Sequence, residues 1–568
     1  HQPMVAPDGR HALITNGEIY NYLELRRELE SEGAVFTSQS DTEVLLSAII
    51  RWGVERTLPR LVGMFAFAFL DIDNRRVTLA RDPFGIKPLL WTMRGGDLAF
   101  ASEPGALLEL DGLNRAVDPQ ALFDYLRFGL TDRGDRTLFR DIHHLPPATF
   151  AVVDLTRPAA PEPITYWRAK TIGSCDLSFD EAASELGRLF KKSVALHLRA
   201  DVPVGAALSG GIDSSAVVCA MRKQAGDALD LHTFSFTAPG SRHDEEHWAD
   251  IAGQATRATM HKTASTGSAL AAELDNLIRL QGEPFGSTSI FAQNQVYALV
   301  RDAGIKVTLD GQGADEILGG YVPFLAARLA GMLRQGEFAS AARFLCRARD
   351  QAGPAGMLAR AARFILPTSL QGLTRKLVGE DLVPGWMNAR WLADNNVIPD
   401  APQQPRQGRV LMDELAESLE SRVLPALLRY QDRNSMSYAV ESRVPFLIPE
   451  IVDFAFSLPE RFLISDRGET KSVFRAAMRG LVPNAILDRR DKIGFITPQD
   501  DWLREAEGRL SSLVNKDAAR SIPALNHAVL SRSMADLIDG DGPMPQHIWR
   551  VANLTRWSEI FDVSFDGG

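Results

Sequence analysis

Short strand-like runs fall at 11–15, 65–70 and 77–80, the second alternating large and small apolar residues, while 23–32 repeats its apolar positions with the period of a helix. For about the first 110 residues these patterns predict a mixed α/β unit built on a hairpin-rich sheet. Five prolines then fall between residues 146 and 163. Proline withholds a backbone donor and resists helix, so this stretch predicts a connector running to Tyr166 and Trp167. A boundary is expected near residues 168–178, dividing the chain into 1–170 and 176–568. Beyond it the pattern changes to long helical segments, 179–199, 268–280 and 410–430, separated by short apolar strands at 202–208, 231–236 and 306–309. That alternation predicts a parallel sheet flanked by helices.

Composition narrows the class. The 568 residues are 45% hydrophobic and 24% charged, values of a soluble globular protein, and at roughly 100–200 residues per domain they imply two to four domains. With 62 basic and 72 acidic residues the net charge is −10, which disfavours a general nucleic-acid binder or a coat on an anionic membrane. Cys175, Cys219 and Cys346 are too few and too scattered for a disulfide framework or a zinc site. All three read as structural residues in a reducing, cytoplasmic setting. The apolar run 62–70 is far short of the roughly 18 residues that cross a bilayer, and no basic-then-apolar leader opens the chain, so no membrane span is expected. Because the sequence opens on His1 and not on Met, it is expected to be an N-terminally incomplete or processed form. Residues 328–376 carry nine basic residues against two acidic ones with helical spacing of apolar positions. They predict a solvated helical insertion, with a docking surface for an acidic partner as the alternative.

The densest chemistry follows the strand at 202–208: Ser209-Gly210-Gly211-Ile212-Asp213-Ser214-Ser215. Two glycines permit a tight turn, and a helix opening at the serines aims unpaired N–H groups and its dipole at an anion. The hydroxyls of Ser209, Ser214 and Ser215 add donors, and Asp213 is placed to hold the Mg²⁺ that accompanies a polyphosphate. The loop has no lysine, so it is not the P-loop of γ-phosphate transfer. A second loop, Asp310-Gly311-Gln312-Gly313-Ala314-Asp315-Glu316, follows the strand at 306–309 and offers hard oxygen ligands for the same ion. Both loops fall at carboxyl ends of strands, where sites form in parallel sheets.

The first loop resembles the PP-loop of the ATP pyrophosphatase family, which cleaves ATP between the α and β phosphates. Further stretches extend the likeness: Asn16-Gly17-Glu18-Ile19-Tyr20-Asn21, Ser40-Asp41-Thr42-Glu43, Gly63-Met64-Phe65-Ala66-Phe67, Arg81-Asp82-Pro83-Phe84-Gly85, Ala101-Ser102-Glu103, Asp432-Arg433-Asn434-Ser435-Met436, Glu441-Ser442-Arg443-Val444-Pro445-Phe446-Leu447, Lys471 and Lys492-Ile493-Gly494-Phe495. With them, the chain resembles the glutamine-dependent asparagine synthetases over almost its full length. The resemblance implies an Ntn-type α+β sandwich, incomplete at its N-terminus, followed by a PP-loop α/β domain with helical additions. The first would be a class II glutaminase that releases ammonia, and the second a synthetase that uses ATP and Mg²⁺ to activate a carboxylate as acyl-AMP. By resemblance, Asn16 and Gly17 form the oxyanion hole, and Glu18 and Asp41 hold the polar groups of glutamine. Ala207, Phe236 and Gly311 line adenine and ribose, Ser209, Gly210, Gly211, Ser214, Ser215 and Asp310 complete the nucleotide site, and Asp213 and Asp315 hold the metal and pyrophosphate. Lys471 neutralises charge on the α-phosphate.

Three departures from the family pattern qualify this. Class II glutaminases use an N-terminal cysteine, and no cysteine precedes residue 175, so the glutaminase nucleophile is expected to be absent from this chain, which is expected to hydrolyse no glutamine while free ammonia still supports amidation. Gln312 stands where the family has Glu, preserving hydrogen bonding but removing a charge and a base. Ile448 stands where the family has Asp. The leading expectation is amidation of aspartate with glutamine as nitrogen donor. The alternatives are amidation of a sugar-acid or peptide carboxylate, a cyclisation like that of the β-lactam synthetases, and a non-catalytic nucleotide-binding relic. The implied partners are small molecules, without nucleic acid or membrane, and a homodimer stays open.

Overall fold

The computed structural model of the protein describes residues 1–171, 175–242, 244–348, 353–366, 381–399, 409–489, 494–538 and 545–565. Its first part is built around the strand Gly63–Asp71, buried over most of its length. Period-two geometry sorts its side chains. Phe65, Phe67 and Phe69 meet Leu25, Leu29, Val44 and Leu45 of the helices Tyr22–Ser31 and Asp41–Trp52. Ala66 and Ala68 instead meet Leu89 and Trp91 on the opposite face. Gly63–Asp71 pairs antiparallel with His11–Ile19 and Arg76–Arg81 in a six-stranded sheet of the described residues. A three-stranded sheet of Asp97–Ala101, Leu90–Arg94 and His143–His144 lies on the alanine side. The proline-rich stretch is more than a connector, because Thr149–Asp154 pairs with Arg76–Arg81 inside the larger sheet. Its prolines, at 146–147 and from 158 onward, flank the strand and leave its N–H groups free to join the ladder.

The second part holds a parallel sheet of five described strands in the order Thr259–Thr263, His232–Phe236, Val204–Ala207, Val307–Leu309, Glu441–Arg443. The chain starts in the middle, moves outward on one side, then returns to the other. A crevice therefore opens between the carboxyl ends of Val204–Ala207 and Val307–Leu309, the topological switch point where α/β sheets bind ligands. Fold class thus agrees with the sequence pattern: antiparallel sheets first, a parallel sheet later.

Two expectations change. The helix expected over 410–430 is broken into Val410–Glu417, a π-turn at Ser418–Arg422, and Leu424–Met436, which carries Pro425 in its first turn. Proline has no N–H to donate and crowds the preceding turn, so the helix restarts there. The basic segment is helical at Val322–Arg334, Phe338–Arg347 and Pro354–Ile365. Arg328, however, is not solvated: it is buried and paired with Glu460 at 3.4 Å and Asp466 at 3.3 Å. Residues 349–352 and 367–376 of that segment, with Arg349, Arg375 and Lys376, lie outside the described residues, as does Lys492. The stretch Ala314–Arg334 is long and apolar enough to cross a membrane, but it is interrupted at Gly319 and Gly320 and 72% of its most apolar window is buried against the protein.

Candidate active site

The two loops at the switch point line a cavity of about 370 Å³. Its floor is Ala207, Leu208, Ser209, Asp213 and Ser214 from one loop and Asp310, Gly311, Gln312 and Asp315 from the other. Gly210 adopts φ +74°, and a Cβ there would fall 2.5 Å from the backbone nitrogen of Ala249, so glycine is required. Gly211 precedes the helix Ile212–Ala225 without a side-chain cap, leaving first-turn N–H groups for an anion. The serines already mimic acceptors: the Ser209 N–H donates to Ser214 Oγ at 3.2 Å, and the two hydroxyls lie 3.1 Å apart. Ser215 is fully buried behind this turn. Gly311 rests against the same helix start, where a Cβ would come 2.9 Å from the Ser214 nitrogen. Asp310 braces its own loop, accepting from the Gln312 N–H at 3.0 Å.

Lys471, 264 residues from Ala207 in sequence, completes the cluster. It is 3% exposed, with φ +54°. Its Nζ donates to Asp213 Oδ2 at 2.6 Å and pairs with Asp315 Oδ1. Gly320 makes room for this triad, since a Cβ there would lie 1.7 Å from Asp315 Oδ1 and 2.4 Å from Lys471 Cε. Two carboxylates converging on one point are hard oxygen donors suited to Mg²⁺, which binds through one or two carboxylates and takes its other ligands from phosphates and water. No group of three or more His, Cys, Asp or Glu forms a metal cage among the described residues. The pair therefore fits a metal that arrives with a polyphosphate. Glu316, read from sequence as a further ligand, is turned inward: it is 1% exposed and accepts from the Tyr321 hydroxyl at 2.7 Å. Phe236 walls the cavity, its ring edge-on to Phe495 at 6.2 Å and Trp502 at 5.8 Å.

A second cluster lies on the antiparallel sheet. Asn16, Gly17 and Glu18 occupy one strand, and Gly17, with φ +145°, leaves no space for a Cβ, which would meet the Met64 carbonyl at 2.0 Å. Asp41 begins the helix capped by Ser40 and accepts from the Ile19 N–H at 2.9 Å. Burial, with the neighbouring Asp41 and Glu441 carboxylates, pushes the Glu18 carboxyl up to about 7. All four residues expected at the glutamine site are thus gathered around one strand end.

Sequence reading missed several residues. Tyr321, Ser287, Gln293, Leu427 and Tyr430 line the cavity. They are gathered from distant parts of the sequence and carried no local signal that marks them as cavity residues. Ile448 proves to be a core residue, 2% exposed, at the start of the helix Pro449–Ser457 and outside the cavity lining. At this N-cap position Ile448 offers no side-chain acceptor to the helix start, which an Asp would. Cys219 is buried, its thiol pushed up to about 12, and Cys346 is exposed, so it does not pack into the core.

Comparison with known proteins joins the two clusters. The asparagine synthase family model matches residues 185–559, and the glutamine amidotransferase domain model matches residues 1–167. A putative asparagine synthetase [glutamine-hydrolyzing] of Mycobacterium bovis is 31% identical, the alignment covering 99% of this chain and 87% of that protein. Asparagine synthetase [glutamine-hydrolyzing] 1 of Bacillus subtilis is 28% identical over 98% of this chain and 87% of its own length. Amidase chyE of Penicillium rubens is 27% identical over 58% of this chain and 50% of its own.

Proposed function

The chain belongs to the asparagine synthase family, and from that premise we propose that it is an AMP-forming amide ligase, with an amidotransferase unit over 1–170 and a synthetase unit over 176–568. The observation that carries the reading is the convergence of Lys471, Asp213 and Asp315 at the mouth of the Ser209–Gly210–Gly211 turn. ATP would lie with its base toward Ala207 and Phe236 and its phosphates on the helix start. The acceptor's carboxylate oxygen attacks the α-phosphorus, the bond to the bridging oxygen breaks, and pyrophosphate leaves. Lys471 would neutralise charge on the α-phosphate, while the first-turn N–H groups would receive the leaving oxygens. Mg²⁺ held by Asp213 and Asp315 would screen the charge of the pyrophosphate. Ammonia then attacks the acyl carbon and AMP departs. On the first sheet, Asn16 Nδ2 and the Gly17 N–H would stabilise the oxyanion of glutamine hydrolysis, with Glu18 and Asp41 holding its ammonium group.

The leading acceptor is aspartate. Gln312 on the cavity floor favours a second reading, a ligase for a different carboxylate, because the family carboxylate is replaced there by a neutral amide. Release of AMP, measured across aspartate, sugar acids and peptide carboxylates with ammonium as nitrogen source, separates the two. Aspartate-dependent AMP supports the first reading. AMP released with another acid and not with aspartate supports the second, and no AMP with any carboxylate removes both.

A further inference from the structure

One wall of the nucleotide cavity comes from helices and not from the two loops. Ile290, Gln293 and Tyr297 reach it from the helix Ser289–Asp302, and Leu427 and Tyr430 reach it from the helix Leu424–Met436. Spacings of three and four place each set on one helix face. Asn434 of the second helix, fully buried, ties it to the first. Its Nδ2 donates to the Ile290 backbone carbonyl at 3.0 Å and to Gln293 Oε1 at 2.9 Å. A backbone carbonyl only accepts, so the Asn434 atom facing it is the nitrogen, and the Gln293 atom facing that same nitrogen is the oxygen. The reverse orientation would press two acceptors together in a site closed to water. The Gln293 amide is therefore oriented by a main-chain group, with its Nε2 turned away from Asn434. Among the described residues neither hydrogen of that Nε2 has a protein partner, and Gln293 is half-buried on the cavity wall.

We propose that Gln293 is a specificity-determining residue for the acceptor: its Nε2 donates to an uncharged oxygen on the acid, and so selects a carboxylate whose body carries a hydroxyl or an amide carbonyl. This inference rests on the ligase reading and names the class of its acceptor. Gln312, on the floor, brings a second neutral carboxamide to the same cavity, and Asp310 brings a negative charge. A neutral donor satisfies a hydroxyl or carbonyl oxygen in full. A second carboxylate set against it would instead give up hydration without gaining an ion pair from this wall. Discrimination is strong in such a site, because an acid that lacks the matching oxygen leaves the oriented donor unpaired.

The test uses the full chain and its variants Gln293→Leu and Gln293→Glu. The second keeps an oxygen for Asn434 and changes only the group turned to the cavity, so it tests the inference even where the first fails to fold. AMP release is measured with ATP, Mg²⁺ and ammonium chloride, and with aspartate, D-gluconate or acetyl-diglycine as the acid. For the parent, kcat/KM with gluconate or acetyl-diglycine is expected to exceed that with aspartate by about tenfold or more, and the better of the two tells a hydroxyl from an amide carbonyl. With that acid, Gln293→Leu is expected to raise KM about tenfold and Gln293→Glu to raise it further, while KM for ATP stays within about twofold of the parent. Aspartate used as well as either acid, an acid KM unchanged in Gln293→Glu, or a loss that falls on KM for ATP overturns the specificity role and leaves the ligase reading in place. If the parent releases no AMP with any acid, the ligase reading falls and the inference falls with it.

Discussion

At Lys471 a left-handed backbone, two carboxylates and a glycine 151 positions away meet within one contact shell. Each part depends on the others. Removing one carboxylate leaves an unbalanced buried charge and a poorer metal site, so Asp213→Asn and Asp315→Asn are each expected to lower ATP–pyrophosphate exchange by about two orders of magnitude or more. Exchange near the parent rate in either variant contradicts the assignment. Gly320→Ala drives a methyl into Asp315 and the Lys471 stem, and should reduce exchange with a stability loss of about 1–3 kcal/mol, read together from kinetics and a denaturant melt. Replacing Gln312 by Glu should raise aspartate-dependent AMP release if the native acceptor is another acid, and an unchanged rate argues against a selective role. Glu18 sets a pH dependence. Its carboxyl, raised to about 7 by burial and the Asp41 and Glu441 charges, is ionised above that value and neutral below it. If Glu18 holds the ammonium of glutamine as proposed, its neutral form loses that attraction, so the dissociation constant for glutamine, read by calorimetry, should rise as pH falls through 7, while ammonium-driven activity measured at a fixed free ammonia concentration does not follow that transition. The phosphate loop was legible because its glycines, serines and aspartate are contiguous. Gly320 was not, because its function is a contact with Lys471 that only the folded chain creates.

Helices and strands were legible where local chemistry was consistent. Ser178 and Glu181 form a capping box, the Ser178 N–H donating to Glu181 Oε2 at 2.9 Å and the Glu181 N–H donating to Ser178 Oγ at 3.3 Å. The helix Phe179–His197 accordingly starts where its pattern predicts. Ser178→Ala should cost about 1 kcal/mol in a denaturant titration and leave ammonium-driven AMP release intact, because the cap faces solvent and touches neither cluster. The pattern failed at 410–430, where an uninterrupted apolar period hid the restart at Pro425, and at 146–163, where counting prolines concealed the strand Thr149–Asp154 between them. In both places the spacing of proline mattered more than its number. The alternating Phe and Ala of Gly63–Asp71 also carried more than sequence reading drew from them, since they assign two different cores to the two faces of one strand.

Across the whole molecule the antiparallel and parallel parts are joined by buried charge, which composition cannot reveal because partners such as Lys87 and Asp432 lie 345 residues apart. Both are under 9% exposed. Lys87→Met strands the Asp432 carboxylate in the interior and should destabilise the protein by about 3–5 kcal/mol, whereas the pair Lys87→Met with Asp432→Leu should recover most of that loss. Equal denaturant midpoints for the single and double variants contradict this. Neutral pairing of this kind ties the two clusters together. The synthetase chemistry itself is tested most directly by isotope transfer. Aspartate labelled with oxygen-18 in its side-chain carboxylate is incubated with the protein, ATP, Mg²⁺ and ammonium chloride, and the nucleotide products are read by mass spectrometry. Attack of the carboxylate on the α-phosphorus leaves one labelled oxygen in AMP when ammonia displaces it, and that is the expected result. Label in inorganic phosphate with formation of ADP places the attack on the γ-phosphorus and contradicts an AMP-forming site built on Asp213, Asp315 and Lys471.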